Sequence, residues 1–257
     1  EILVRNLFSS INYRDYLAFK GNRAVARRFP YAPGVDFVGI VVKSANKKFL
    51  KGDKVGAFAI PNNEVYPGAW SNYCKIDSKN LFKIPKKWNL EDTISVGTAG
   101  LAAASGICSI IRNSHIDQKK NFSLLVTGAT GGVGSIACLL GKMLGWKVFA
   151  VTRNLKRNKL YLKSIGGKNI IESKKFISNP SMNLLTAEYN GVMECLGGVY
   201  LWNSVKRLKN NGVCAASGLI IGQDLSGLSV LPFLMRGVSL IGTGSEILDK
   251  KKKERSF

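Results

Sequence analysis

The chain has a single histidine, His115, in the polar stretch NSHIDQKKN. Its five cysteines (Cys74, Cys108, Cys138, Cys195 and Cys214) lie far apart and form no CxxC pair. A zinc site, which needs clustered His and Cys ligands, is therefore not expected. An odd, scattered set of thiols suits a reducing compartment better than a disulfide frame. No GxSxG elbow accompanies His115, so a Ser-His-Asp apparatus is missing as well. With so little acid–base machinery, the chemistry is expected to reside in a bound cofactor. No apolar run approaches the roughly 20 residues that span a bilayer, and the first residues do not read as a signal peptide. The expected localisation is cytoplasmic, with no membrane partner.

Acids are scarce too, with 16 Asp and Glu against 38 Lys and Arg, a formal net charge of +22. Such an excess could serve nucleic acid, an anionic surface or phosphorylated small molecules. The lysines are spread along the whole chain, however, with no arginine-rich arm or zinc finger, so no specific nucleic-acid partner is expected. A basic nucleic-acid-binding protein on a dinucleotide fold stays open as an alternative. Apolar residues make up 46% of the 257, enough for a folded chain with a real core in one large domain or two.

The first third alternates short β-branched runs with Gly, Pro and Asn turns. ILVRNLFSS, FVGIVVKSA (Phe37–Ala45), KVGAFAI (Lys54–Ile60) and SNYCKI (Ser71–Ile76) read as strands. From Leu90 the pattern turns helical, breaks at Gly97–Gly100, and resumes in small residues. From Ser123 strands and helices alternate: SLLVTG, VGSIACLLGKML, KVFAVT, then LKRNKLYLKSIG closed by Gly166. After KNII and GVMECLG, a helix YLWNSVKRLKNNG stopping at Gly212 is expected, followed by the strands VCAASG and VSLIGTGS (Val238–Ser245). Strictly alternating β and α imply a parallel sheet covered on both faces. Both ends look abrupt, so the chain looks truncated at both.

Four constellations carry chemistry. GATGGVG (Gly128–Gly134) sits between a strand and a helix. There glycines permit a tight turn and close approach of a pyrophosphate to a helix N-terminus, whose amides and dipole favour an anion. At the end of the next strand, NAD-preferring sites carry an acid for the ribose hydroxyls. Here stand Thr152, Arg153 and Asn154, followed by Lys156 and Arg157. Cations and hydroxyls suit a 2′-phosphate, so NADPH is the expected cofactor. SSINYRD (Ser9–Asp15) reads either as a pocket lining or as a polar turn. SVGTAGLAAASG (Ser95–Gly106) is either close helix packing or the surroundings of a functional Thr98.

Taken in order, SSINYRD, YAPGVDFVGIV, GDKV, VGTAGLAAA, VTGATGGVGSIA, YLKSIGG and AASGLIIG resemble the medium-chain dehydrogenase/reductase superfamily. Within it they resemble the zinc-free quinone-oxidoreductase-like branch, and there the bacterial NADPH-dependent acryloyl-CoA reductases. The resemblance implies a GroES-like, mostly β catalytic domain over 1–95, incomplete at its start. It implies a Rossmann NADPH-binding domain with a doubly wound parallel sheet over 96–257, lacking its C-terminal return segment. Asp36 and Phe37 occupy the region where zinc-containing members carry a His-Glu pair.

The implied catalytic residues are Tyr13 and Asn12. Cofactor contacts are implied for Tyr13, Thr130, Gly131, Gly132, Val133, Thr152, Arg153, Asn154, Ser173, Leu219, Leu234 and Ser245. Ser173 replaces a frequent arginine, and Gly244 stands where an acid often precedes the serine. The implied reaction is hydride transfer to the β-carbon of a short enoyl-CoA, then protonation at the α-carbon, with backbone amides as donors to the enolate oxygen. A quinone or enone reductase of the same branch is the alternative. A homodimer acting on a small-molecule substrate is the implied assembly.

Overall fold

The structure, a computed structural model, describes residues 1–23, 25–26, 31–60, 68–115, 121–177 and 181–243. The chain divides into two compact units, Glu1–Leu101 and a second that begins at Ala102.

The first unit is built on a five-stranded antiparallel sheet. Its strands are β1 (Ile2–Ser9), β2 (Phe37–Ser44), β3 (Lys54–Ala57), β4 (Tyr73–Ile76) and β5 (Phe82–Lys83), in the spatial order β4-β1-β2-β3-β5. Period-2 alternation makes the core: Ile2, Val4, Phe37, Val41, Val55, Cys74 and Ile76 all point inward and bury together. The expected strand over Lys54–Ile60 ends at Ala57, because Ala59 takes φ +49 and its N–H leaves the ladder for side-chain acceptors. SSINYRD is neither a turn nor a loop throughout, since helix α1 (Tyr13–Phe19) starts within it.

Helix α2 (Leu90–Asn113) contains the expected break as a single kink at Gly97, with φ +49 and ψ −160. By length and composition this segment is apolar enough to cross a membrane, which corrects the expectation that no run comes near that length. Its Ala103, Ile107 and Ile110 are spent on packing in the core of the second unit.

That unit holds a six-stranded, wholly parallel sheet. Its strands are β6 (Ser123–Val126), β7 (Lys147–Thr152), β8 (Asn169–Glu172), β9 (Tyr189–Glu194), β10 (Leu208–Ala216) and β11 (Ser239–Gly242). The spatial order is β8-β7-β6-β9-β10-β11. Numbered from β6, this is 3-2-1-4-5-6, the doubly wound dinucleotide-binding order. Helices α3 (Gly132–Met143) and α4 (Leu155–Ser164) follow β6 and β7; α5 (Ser173–Phe176), α6 (Gly198–Lys206) and α7 (Leu231–Arg236) follow β8, β9 and β10.

Alternate residues of one strand feed two cores. Leu124 and Val126 pack with Ala137 and Cys138 of α3 and Leu162 of α4, while Leu125 packs with Phe176 of α5 and Tyr200, Leu201 and Val205 of α6. Both faces of the sheet are therefore covered, and the fold is α/β, with an antiparallel five-stranded unit followed by a doubly wound Rossmann unit.

One boundary is corrected. The helix expected to stop at Gly212 ends at Lys206, and Gly212 lies inside β10. A register shift between Leu208 and Val213 opposite β9, with Asn211 at φ +57, absorbs KNNG, which reads as a helix stop, into a bulged strand. The Val238–Ser245 strand is realised as Ser239–Gly242, while Gly244, Ser245 and the last segment lie outside the described residues.

Candidate functional site

A parallel sheet puts the carboxyl ends of all its strands on one edge, and strand order reverses between β6 and β9. Ligands of open α/β sheets bind at this reversal. The glycine turn leaves β6 there. Gly128 has φ +56, which a side chain rarely adopts, and the Ala129 N–H donates to the Val151 carbonyl (3.3 Å), tying the turn to the end of β7. A Cβ on Gly134 would fall 2.3 Å from the Gly128 carbonyl oxygen, so this glycine lets α3 press against the turn. The N-cap of α3 is Gly131, and no side chain caps the helix. Its first-turn amides thus lack a side-chain acceptor, beside the exposed Thr130, Gly131 and Gly132 and the half-buried Val133.

Next along the same edge, Thr152 is buried and its hydroxyl accepts from Asn158 Nδ2 (2.9 Å). Arg153 is exposed, and Asn154 caps α4 by accepting from the Arg157 N–H (2.9 Å). The Asn154 carbonyl oxygen is therefore occupied, which leaves Arg153 as the cation nearest the strand end. Ser173 is buried at the start of α5, just past the Thr152–Glu172 register pair.

Beyond β9 and β10 the chain is stitched together by its backbone. Ser217 N–H donates to the Glu194 carbonyl (2.8 Å), Ile221 N–H donates to the Leu196 carbonyl (2.8 Å), and Gly197 bridges Gly222. Leu219, exposed, rides on that loop. The sheet edge thus gathers Thr130–Val133, Thr152–Asn154, Ser173 and Leu219. Leu234 is not among them. It is exposed on α7, whose Arg236 donates to the Lys206 and Leu208 carbonyls (2.9 and 3.0 Å) at the amino end of β10. Ser245 lies outside the described residues.

Two residues at the reversal went unnoticed in the sequence. Glu194, fully buried at the end of β9, accepts from the Thr127 hydroxyl (2.9 Å), the Leu196 N–H (2.9 Å) and the Gly197 N–H (3.0 Å). Thr127, at the end of β6, in turn accepts from the Cys195 N–H (2.9 Å). Burial raises the Glu194 carboxyl above its ordinary 4.5 despite these donors. The available signal was one acid inside the apolar run GVMECLG. Burial also pushes the thiols away from reactivity: Cys138 up to about 12, and Cys195 and Cys214 well above 9.

In the first unit Asn12 is the N-cap of α1, and its N–H donates to Asp15 Oδ2 (2.8 Å). Tyr13, the first helical residue, is 41% exposed and stacks on Tyr16 at 5.9 Å. Both Asn12 amide hydrogens are used, toward Ser10 Oγ (3.0 Å) and Asp36 Oδ2 (2.9 Å). Among the described residues no group of three or more His, Cys, Asp or Glu is placed to hold a metal ion.

Family models match both units: an alcohol dehydrogenase GroES-like domain over residues 1–86 and a zinc-binding dehydrogenase domain over 132–246. The chain is 33% identical to YhfP of Bacillus subtilis, named a quinone oxidoreductase, over 95% of this chain and 73% of that protein. It is 31% identical to the acrylyl-CoA reductase AcuI of Ruegeria pomeroyi over the same shares. The structure of Escherichia coli YhdH with bound NADPH superposes with a TM-score of 0.91 at 29% identity, covering 100% of this chain and 77% of that one. That of YhfP with NAD bound superposes at 0.89 and 32% identity, covering 99% and 76%. Sequence order, strand order and these matches agree: the chain is an oxidoreductase that belongs to the medium-chain dehydrogenase/reductase superfamily, in its quinone-oxidoreductase-like branch.

Proposed function

We propose that the chain is an NADPH-dependent reductase of the C=C bond of a short enoyl-CoA such as acryloyl-CoA. The observation that carries the reading is the sheet edge itself. An α3 N-terminus without a side-chain cap lies at the strand-order reversal, and the adjoining strand β7 ends on Thr152 and is followed by Arg153 rather than by an acid. The turn fits a dinucleotide, because Gly134 lets α3 close onto the Gly128 carbonyl and the helix presents its first-turn amides without a side-chain cap. In this reading the amides after Gly131 hold the pyrophosphate, Arg153 and Thr152 meet the 2′-phosphate, and Leu219 flanks the nicotinamide half. Glu194 holds the loops in register. Tyr13 and Asn12 belong to the substrate side. A nicotinamide held by these residues would supply the hydride that the β-carbon takes up, and solvent would supply the proton for the α-carbon, giving the saturated acyl-CoA. The reading needs no metal, and it includes a homodimer, to be checked by light scattering.

Support for the substrate comes from the AcuI match, and support for the cofactor from YhdH with NADPH; YhfP with NAD leaves that choice to Arg153. The test is cofactor oxidation by the purified chain with acryloyl-CoA and, in parallel, a benzoquinone. We expect acryloyl-CoA to be reduced with NADPH at a kcat/KM at least about tenfold above that with NADH, equivalent to ~1.4 kcal/mol of discrimination. Equal use of both cofactors sinks the NADPH assignment. Turnover of the quinone alone transfers the chain to the quinone-reductase alternative, whose support is YhfP.

A further inference from the structure

Asp36, just before β2, is fully buried, and its carboxylate is the meeting point of three other segments. Oδ2 accepts from the Ser10 hydroxyl (2.7 Å), Asn12 Nδ2 (2.9 Å) and the Thr98 N–H (2.8 Å). Oδ1 accepts from the Ala59 N–H (3.0 Å) and the Thr98 hydroxyl. None of these five donors, all among the described residues, is cationic. The kink in α2 is shaped around it: Gly97 takes φ +49, and a Cβ there would lie 2.8 Å from Oδ2.

The Ala59 and Thr98 N–H groups and the Asn12 NH2 can only donate, so both Asp36 oxygens accept, which sets the direction of the network. Ser10 gives its one hydroxyl proton to Asp36, so it must accept from Asn12. Asn12 thereby spends both amide hydrogens, and its rotamer and flip are determined. Asp15, also buried, fixes the backbone of the same corner by accepting from the Asn12 N–H (2.8 Å) and the Gly34 N–H (2.9 Å). Tyr13 comes next in the chain, half exposed on the first turn of α1.

We propose that Asp36 is a positioning residue for the reductase reaction, fixing the Asn12–Tyr13 corner and Thr98 in the geometry that the reaction uses. This rests on the assignment of Asn12 and Tyr13 to the substrate side. An amide at this position would turn an NH2 group toward one pair of donors or the other: facing the Oδ2 donors it leaves the Thr98 N–H without its acceptor, and facing the Oδ1 donors it takes the acceptor of the Thr98 hydroxyl, while the Ala59 N–H keeps Thr98 Oγ1 (2.7 Å).

The test is a double-mutant cycle with Asp36→Asn and Tyr13→Phe, reading kcat and KM for acryloyl-CoA alongside the Kd for NADPH. Asp36→Asn should lower kcat by about tenfold or more while the NADPH Kd stays within about twofold. Its loss should largely vanish in the Tyr13→Phe background, since residues acting through one another are not additive. A folded Asp36→Asn enzyme with unchanged kcat, or losses that simply multiply, overturns the proposal. Should Asp36→Asn fail to fold by circular dichroism, Thr98→Val, which removes one donor to Asp36 and one of the two acceptors of the Ala59 N–H, carries the same cycle and criteria. Amide hydrogen exchange over residues 11–16, without cofactor or substrate, gives a readout independent of the substrate assignment. Faster exchange there in the variant supports the positioning role, and unchanged exchange overturns it even if acryloyl-CoA proves not to be the substrate.

Discussion

Arg153 projects from the end of β7 into solvent, while the neighbouring Asn154 is occupied in capping α4. A charge-assisted bond to a phosphate contributes about 1.5–3 kcal/mol. Arg153→Ala should therefore raise the KM for NADPH by roughly 10- to 100-fold and leave that for NADH within about twofold. Steady-state kinetics with both cofactors checks this. Glu194 makes a different prediction, about pH. Its folded carboxyl is raised by burial above 4.5, so the folded state holds the proton more tightly than the unfolded one. The stability this group contributes is full below that value and is lost as pH rises through the folded value. Glu194→Gln keeps acceptor Oε1 and loses the buried charge. Its melting temperature at pH 8 should equal or exceed that of the unaltered protein, and the advantage should shrink as melts are repeated toward pH 5.

Arg153 and the glycines were legible in the sequence because local spacing alone places them. Glu194 and Asp36 were not, because their partners lie far along the chain: Thr127 and Glu194 are 67 positions apart, and Asp36 and Thr98 are 62. Only strand pairing and the α2 kink bring those groups together.

At the level of elements, the turn between β6 and α3 makes the sharpest demand on residue type. A methyl group on Gly134 would meet the Gly128 carbonyl at 2.3 Å and Ala129 Cα at 2.9 Å, both of them backbone. Gly134→Ala should destabilise by about 1–3 kcal/mol, visible as a lower melting temperature, and weaken NADPH binding as α3 shifts from the turn. Gly242→Ala, where nothing lies within 4 Å, is the control and should stay within about 0.5 kcal/mol. Elements with clear periodicity, such as α3, α4, β2 and β7, follow the sequence closely. Helix α1 does not, because its 7 residues are too few to display an apolar stripe among exposed Tyr13, Tyr16 and Phe19. β10 deceives in the other direction. NNG after KRLK reads as a helix stop, but pairing with β9 on one side and β11 on the other draws Leu208–Gly212 into the strand.

For the whole molecule, the charge of +22 has a measurable signature. Retention on nucleic acid should be independent of sequence and fall by orders of magnitude between about 50 and 200 mM salt, as counterion release requires. Sequence-selective binding that survives the higher salt would contradict this. A CoA substrate carries phosphates of its own, so its association rate should also decline as salt screens the surface.

The buried thiols offer a clock for each unit separately. Cys74 lies in the core of the first, while Cys138, Cys195 and Cys214 lie in the second; only Cys108 is partly accessible. A disulfide reagent under native conditions should modify Cys108 promptly and the others only when their own unit opens. Peptide-resolved labelling rates would then give two opening free energies from one unmodified chain. A Cys74 rate distinct from the other three would show that the units unfold in separate events, whereas a common rate would mean that they open together.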